Sequence, residues 1–303
     1  MSYLLRTCIV LAVGAVLFAG CGGGDGSVAA DSGTGVLNIG VTDAPVDDAS
    51  KVVVEFSGVE LKPQGGDAFT LDINPDRQID LLALSGGVST LILQNATVPA
   101  GSYEWIRLQV NAQPNAQDDS YIELETGGRF PLFVPSGEQR GLQLIRGFTI
   151  AQGSISNFTI DFDLRKSVIE PPGLDPNFLL KPVLRIVDNL QVGTLAGTVA
   201  SARAEAANCS PFVYVFAGSG VTPDDLDVAG TPDVDPLVSV PVALDNASGQ
   251  WRYRAAFLEA GSYTASFTCD GGADTPEGEE VLTFSGTSNV TIIANQTTTL
   301  DFP

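Results

Sequence analysis

Short stretches of alternating apolar and polar residues recur along this chain from Val36 onward, separated by Gly, Pro, Asn and Asp. Successive side chains of a strand point to opposite faces, so this period of two predicts half-buried β-strands. Two clear examples are residues 52–56 and 158–165. Helical periodicity of useful length is absent from the sequence, apart from a turn or two predicted over residues 201–207. The pattern predicts an all-β protein built from β-sandwiches, because many short strands with frequent turn signals are typical of that architecture.

A repeated segment indicates that there are two such sandwiches. The tetrapeptide Ala-Gly-Ser-Tyr opens a predicted strand at residues 100–103 and another at residues 260–263. The charge balance also changes near residue 191, beyond which only three basic residues follow. We therefore expect a first β-sandwich over residues 36–190 and a second over residues 191–303.

The N-terminal residues resemble the export signal of a bacterial lipoprotein. Arg6 precedes an apolar stretch from Cys8 to Phe18, which is too short to cross a bilayer because a spanning helix needs roughly 20 apolar residues. Small residues then precede Cys21, as in a bacterial lipobox. The resemblance implies that residues 1–20 are a signal peptide, that Cys21 is lipidated, and that residues 21–35 form a flexible Gly-rich tether. An ordinary N-terminal helix is the alternative.

The same resemblance implies a location. In Gram-negative lipoproteins, Asp directly after the lipidated cysteine favours retention in the inner membrane, whereas this chain has Gly22 at that position. We therefore expect a lipid anchor in the outer membrane of a Gram-negative bacterium, facing the periplasm or the cell surface. The net charge of −21 repels anionic lipid, so the folded part should stand clear of the membrane surface.

The cysteines fit an exported protein. Cys8 lies in the predicted signal peptide and Cys21 is the predicted lipidation site, which leaves Cys209 and Cys269. Disulfides persist in oxidising compartments, so we expect these two residues to be bonded to each other. Two free thiols are the alternative, because spacing alone does not prove pairing.

Composition excludes several classes of function. The chain has 36 acidic residues, 15 basic residues and no histidine. Nucleic acid is excluded as a partner because phosphate binding needs clustered Lys and Arg. The absence of histidine excludes Ser-His-Asp and Cys-His catalysis and histidine-ligated metals. Glycoside hydrolysis by two carboxylates is the remaining enzymatic alternative. Any chain this acidic contains such a pair, so a pair of carboxylates alone does not indicate a hydrolase. Because the sequence shows no other catalytic site, we expect a protein that is not an enzyme.

Residues 36 to about 190 resemble a bacterial lipoprotein domain known as domain of unknown function 4382. The matching segments are GVTDAP at 40–45, KVVVEFSGVE at 51–60, PAGSY at 99–103 and IDFDLRKS at 160–167. The second half is similar to transthyretin-like and carboxypeptidase-regulatory-like β-sandwiches through residues 214–216 and 260–263. The first family has no established activity, so the resemblance implies fold and export but no reaction.

Three acidic residues are candidate calcium ligands. Asp161 and Asp163 share one face of a predicted strand, and Asp43, in a predicted loop, is the candidate third ligand. Hard cations bind several oxygens, and a calcium site normally has six or more of them. We therefore favour the alternative of an exposed strand face on which Arg165 and Lys166 offset the acids. No other cofactor is expected.

A second acidic segment, residues 222–236, contains five Asp residues. Its best alignment with a calcium-binding loop places Ala229 and Pro236 where oxygen ligands are required, so that motif is broken. We expect a solvated acidic loop here, because charge runs of this kind are usually exposed.

Aromatic residues introduce a second functional hypothesis. Trp105 shares a predicted strand face with Tyr103, and Trp251 shares one with Tyr253 and Phe257. Exposed rings stack on sugars, but rings on strand faces more often fill cores. We favour the core, with Trp251 the better candidate for exposure.

These observations lead to one main hypothesis and one alternative. The main hypothesis is a lipid-anchored, non-catalytic binding or structural scaffold of the cell envelope. The alternative is a polysaccharide-binding module of the same envelope. An envelope protein or a polysaccharide is therefore the candidate partner, and the sequence indicates neither the ligand nor the oligomeric state.

Overall fold

The structure is a computed structural model that describes residues 33–44, 49–114, 116, 118–134, 142–170, 178–181, 183–227 and 234–303. The expected signal peptide, the lipidation site Cys21 and most of the expected tether lie outside the described residues. The expected end of the tether at residue 35 is wrong, because residues 34 and 35 already belong to the first strand. Within the described ranges, no helix is long and apolar enough to cross a membrane.

The first sandwich comprises residues 34–188. Its smaller sheet consists of β1 (Thr34–Ala44), β4 (Thr90–Pro99), β10 (Ile155–Asp163) and β13 (Leu184–Asp188). The strand order is β13-β10-β1-β4, in which β1 and β10 are parallel and the other pairs are antiparallel.

The larger sheet of the first sandwich is arranged around a long central strand, β2 (Ala49–Pro63). β2 pairs with β3 (Phe69–Asp80), β5 (Gly101–Asn111) and β6 (Tyr121–Leu124). The remaining strands are β7 (Arg129–Phe133), β8 (Leu142–Leu144), β9 (Phe148–Ile150), β11 (Val168–Ile169) and β12 (Phe178–Leu180). A 3₁₀ segment (Leu82–Gly87) follows β3, and the short helix α1 (Leu164–Ser167) follows β10.

The second sandwich comprises residues 192–303 and also has two sheets. One has the order β17-β18-β14-β21, formed by β14 (Val192–Val199), β17 (Ala243–Asp245), β18 (Gln250–Glu259) and β21 (Thr297–Thr299). The other has the order β16-β15-β19-β20, formed by β15 (Phe212–Ala217), β16 (Val238–Pro241), β19 (Gly261–Thr268) and β20 (Phe284–Ile292). The short helix α2 (Ser201–Ala204) follows β14. The chain is therefore all-β, as the alternation predicts.

Apolar strand faces meet inside each sandwich. Phe56 of β2 and Phe162 of β10 are fully buried, and their ring centroids lie 6.2 Å apart between the two sheets. In the second sandwich, the ring of Phe302 near the chain end lies 5.7 Å from that of Tyr253. These contacts account for the period of two, because only one face of each strand reaches the core.

The repeated tetrapeptide has the same role in both sandwiches. The Tyr103 hydroxyl donates to the Pro99 carbonyl at 2.7 Å, and the Tyr263 hydroxyl donates to the Glu259 carbonyl at 2.7 Å. Each tyrosine is buried and ties the start of one strand to the end of the strand before it. In both sandwiches, the repeat therefore stabilises the turn between two consecutive strands.

Candidate functional site

The acidic face of β10 is buried. The exposed fractions of Asp161, Arg165 and Lys166 are 7%, 4% and 7%. The favoured interpretation of these residues as an exposed strand face is wrong, because other elements cover them. Arg185 of β13 lies over Asp161, and its Nε donates to Asp161 Oδ2 at 2.8 Å. Arg165 and Lys166 extend from α1 into the second sandwich.

Arg165 inserts its guanidinium among polar groups of the second sandwich. It donates to the Ser239 hydroxyl at 3.0 Å and to the carbonyls of Gly271 and Asp274 at 2.7 and 2.9 Å. Its Nη1 lies 3.6 Å from Asp274 Oδ2, and its Cζ lies 4.8 Å from the centre of the Phe212 ring. Several N–H donors of the Arg165 guanidinium are thus hydrogen-bonded to acceptors of the fold, as a buried guanidinium requires.

The Asp274 carboxylate completes this buried network. It accepts hydrogen bonds from the Tyr214 hydroxyl and, at 3.0 Å, from the backbone N–H of Leu226. Burial raises the pKa of Asp274, although these hydrogen bonds and the Arg165 charge act in the opposite direction. Burial also raises the pKa of Tyr214, so its phenol remains protonated and acts as a donor.

Lys166 and Asp163 fix the position of α1. Lys166 Nζ donates to the Pro236 carbonyl at 3.5 Å and lies 3.7 Å from Asp235 Oδ1. The Asp163 carboxylate caps the helix by accepting the backbone N–H of Lys166 at 3.3 Å. Burial raises the pKa of Asp163, and the charge of Lys166 opposes this effect. The helix that carries Arg165 is therefore held at both ends.

The candidate calcium ligands do not form a common group of carboxylates. Asp161 is bound by Arg185, Asp163 caps α1, and Asp43 is buried near the end of β1. Among the residues that the structure describes, the carboxylates near enough to share an ion are Asp224, Asp225 and Glu279, or Asp225, Asp274 and Glu280. Calcium at Asp43, Asp161 and Asp163 stays a prediction.

Two aspartates of the acidic segment that begins at residue 222 are buried. Asp225 and Asp227 have exposed fractions of only 4% and 6%. The Asp225 carboxylate accepts the backbone N–H of Glu280, and the Asp227 N–H donates to Asp235 Oδ1 at 3.2 Å. The expectation of solvated acids is wrong for these two residues, because both are buried and the Asp225 carboxylate accepts a backbone donor of the fold.

A cleft of about 710 Å³ lies between the outer face of the β17-β18-β14-β21 sheet and the first sandwich. The first sandwich lines it with Asp43, Asp161 and residues 85–87 of the 3₁₀ segment. A Cβ atom on Gly87 would lie only 2.7 Å from that of Ala256, so glycine permits the close approach of this segment to β18. The second sandwich contributes polar and apolar side chains, among them Thr198, Asp245, Arg252, Arg254, Leu244 and Phe257.

A β-bulge directs Phe257 towards this cleft. The pairing of β14 with β18 shifts register between Gly193 and Leu195, and Phe257 has a φ of 55°. Because of the extra residue, Leu258 rather than Phe257 continues the buried face of β18. The assignment of Phe257 to the same strand face as Trp251 is therefore wrong. Positive φ at a bulky residue is strained, and such strain is concentrated at functional sites.

The two tryptophans singled out by the sequence lie outside this cleft. Tyr103 and Tyr253 are core residues, whereas Trp105 and Trp251 are half-buried. The Arg107 guanidinium lies 4.8 Å from the centre of the Trp105 ring, and the Trp251 Nε1–H donates to Glu205 Oε1 at 2.8 Å. Neither tryptophan lines the cleft.

The second-sandwich residues around Arg165 were not identified from the sequence as a site. The available signal was the uninterrupted apolar run at residues 212–217, since such a run indicates a strand buried on both faces. It could have predicted that another element covers β15, but not that the covering group is an arginine.

Comparison with known proteins identifies one family. The family model described as Domain of unknown function (DUF4382) matches residues 34–182, in agreement with the resemblance seen in the sequence. No curated protein matches the chain.

Three solved structures illustrate how distant the structural similarities are. A leucine-rich repeat protein from Bacteroides thetaiotaomicron is 14% identical, with 90% of this chain and 26% of that one covered and a TM-score of 0.22. The TIE protein of Bacillus anthracis is 12% identical, with coverages of 89% and 34% and a TM-score of 0.19. The minor pilin GBS52 of Streptococcus agalactiae is 10% identical, with coverages of 88% and 94% and a TM-score of 0.20. The chain thus spans only 26% and 34% of the first two proteins.

Proposed function

We propose, since residues 34–182 belong to the DUF4382 family, that this protein is a non-catalytic binding or structural scaffold of a bacterial cell envelope. In this proposal Cys21 is lipidated and anchors the chain in the outer membrane of a Gram-negative bacterium. The Gly-rich residues that precede Thr34 then link the anchor to the two sandwiches. The absence of histidine from the sequence supports a role without proton-transfer catalysis.

The observation that carries the proposal is the insertion of Arg165 into the second sandwich. A buried side chain of one sandwich is bound by the hydroxyl, carbonyl and carboxylate groups of the other. Separating the sandwiches would break all of these hydrogen bonds together and expose the buried surface around them to water. The two sandwiches therefore act as one body with a fixed surface, as a binding scaffold requires.

Labelling with radioactive palmitate tests the anchor. We expect label on the wild type and on Cys8→Ser, because Cys8 lies in the removed signal peptide, and none on Cys21→Ser. The Cys21→Ser variant should also leave the membrane fraction, since the acyl chains supply the attachment. An unlabelled wild type, or label retained by Cys21→Ser, would contradict the lipid anchor.

A polysaccharide-binding module of the envelope is the second candidate. The cleft favours it, because its volume of about 710 Å³ falls within the range of roughly 300–1,000 Å³ that is usual for ligand sites. Hydrolysis by two carboxylates ranks third. Release of reducing ends from a bound glycan would indicate hydrolysis instead of simple binding.

A further inference from the structure

We propose that the cleft between the two sandwiches binds a segment of a neutral oligosaccharide. This inference rests on the proposed binding function and specifies its ligand class and its site. It places the site on the outer face of the β17-β18-β14-β21 sheet and not at the half-buried tryptophans.

The charges of the cleft disfavour an anionic ligand. Asp161 is paired with Arg185, and Arg252 lies 3.6 Å from Asp245, so both pairs are internally compensated. The remaining charged lining groups include both signs, namely Asp43, Asp301 and Arg254. These three groups leave the lining slightly negative, so an anionic ligand would lose its hydration in the cleft without meeting a surface of opposite net charge. Anions are further disfavoured by the net charge of −21.

The polar groups of the cleft match hydroxyl groups. Among the accessible lining groups, the Asp245 carboxylate only accepts hydrogen bonds, the Arg252 and Arg254 guanidinium groups only donate them, and the exposed hydroxyls of Thr297 and Thr299 do both. A sugar hydroxyl also donates and accepts, so it can pair with every one of these groups. Hydrogen bonds to charged partners are roughly twice as strong as those between neutral groups. A polyhydroxylated ligand therefore recovers the hydrogen bonds that it loses to water.

The cleft also offers apolar surface for the C–H faces of sugar rings. Leu244 is 43% exposed, and it lines the cleft together with Pro241 and Phe257. The β-bulge at Phe257 brings an aromatic ring to a sheet face that is otherwise small and polar. Apolar and aromatic walls with a few placed polar groups are typical of sites for uncharged organic ligands. Pyranose rings have both properties, since hydroxyl edges surround apolar faces.

Calorimetric titration of the detergent-solubilised full chain tests this site, with a non-sugar detergent to avoid competition. The probes are cellohexaose, laminarihexaose and mannohexaose, with hexagalacturonate and a chitosan hexamer as anionic and cationic comparisons. We expect at least one neutral hexasaccharide to bind and hexagalacturonate to bind more weakly, while the chitosan hexamer measures non-specific attraction to the acidic protein. Failure of all three neutral probes, or binding of the charged oligomers alone, would overturn the inference.

Two substitutions locate the binding. Ala243 is exposed on β17, so Ala243→Trp would fill the cleft from the surface and should lower affinity at least about tenfold. Arg254→Ala removes an exposed donor of the lining and should lower affinity about tenfold. Near-ultraviolet circular dichroism would verify that both variants are folded.

Trp105→Ala is the matched control, because Trp105 does not line the cleft and its loss should leave affinity unchanged. Affinity that is lost in Trp105→Ala but kept in Ala243→Trp and Arg254→Ala would overturn the cleft as the site. The broader proposal of an envelope-binding scaffold would survive that result. Loss of palmitate label from the wild type would instead contradict the envelope anchor and leave the cleft inference standing.

Discussion

Arg165 and Asp274 meet where their side chains have exposed fractions of only 2% and 0%. Removing two charges from water costs several kcal/mol per ion, and mutual attraction alone rarely repays it. The pair is compensated because Arg165 also donates to Ser239 and to backbone carbonyls, while Asp274 accepts from Tyr214 and Leu226. At the residue scale, this buried contact between the two sandwiches thus pairs its hydrogen-bond donors with acceptors.

The raised pKa of Asp274 makes stability depend on pH. Because burial raises this pKa above its ordinary value of 3.8, the folded protein binds the proton more tightly than the unfolded chain. The contribution of Asp274 to the free energy of unfolding therefore decreases as the pH rises from about 4 through the raised pKa. We expect Asp274→Asn to remove this decrease, as measured by urea denaturation at a series of pH values.

Asp245→Asn is the control with the opposite sign. The hydrogen bond from Ser248 is the main cause that lowers the pKa of the Asp245 carboxyl, so its stabilisation is lost as the pH falls. Stability curves of the wild type and Asp274→Asn that run parallel across the acidic range would contradict the prediction for Asp274.

β15 is the strand on which the contact between Arg165 and the second sandwich depends. Val213 and Val215 point into the core of the second sandwich, while Phe212, Tyr214 and Phe216 form a separate outer cluster with Leu226. The six residues of this strand, 212–217, are all apolar or aromatic, and a run of this kind is typical of a strand buried on both faces. The outer face is covered by Leu226 and Phe284 of the second sandwich and by Arg165 of α1, and local pattern could not identify these distant parts of the chain.

The disulfide Cys209–Cys269, which confirms the predicted pairing, holds the segments next to this strand. Ser210 N–H donates to the Cys269 carbonyl at 2.8 Å, and Gly271 N–H donates to the Ser210 carbonyl at 3.2 Å. The bond spans 60 residues, so the double variant Cys209→Ala/Cys269→Ala should lose about 3–4 kcal/mol of unfolding free energy. Guanidinium denaturation measures this loss.

A reducing agent provides the control for the disulfide. Reduction should lower the stability of the wild type to that of the double variant and leave the double variant unchanged. Equal stability of the oxidised wild type and the double variant would show that this bond does not stabilise the fold.

At the scale of the whole molecule, the two sandwiches are joined by side chains as well as by the connection at residues 189–191. Arg165 and Lys166 of the first sandwich reach groups of the second, and Gly87 of the first approaches Ala256 of the second. Because these groups are buried or tightly packed, we expect the two sandwiches to unfold together.

The two tryptophans report on the sandwiches separately, since Trp105 lies in the first and Trp251 in the second. In Trp251→Phe and Trp105→Phe backgrounds, the fluorescence transitions in urea should coincide. Adding Arg165→Ala should separate the transitions and cost about 3–5 kcal/mol, because it leaves Asp274 buried without its cation.

Arg129→Ala is the matched control for Arg165→Ala. Arg129 is an exposed arginine paired with Glu123 at 2.7 Å, so its loss should have little effect on stability and leave the transitions coincident. Separate transitions before Arg165 is changed, or coincident ones afterwards, would contradict the coupling of the sandwiches.

The sequence by itself determined the features that depend on local pattern. These are the strands and the turn tyrosines at 103 and 263, whereas the pairing of Cys209 with Cys269 is an expectation that the structure confirms. Only the tertiary structure decided that Arg165 and Asp225 are buried, that Phe257 faces a cleft, and that Asp161 is bound by Arg185. The physical reason is that a strand's period determines which residues share a face, whereas the exposure of that face depends on what packs against it from elsewhere in the chain.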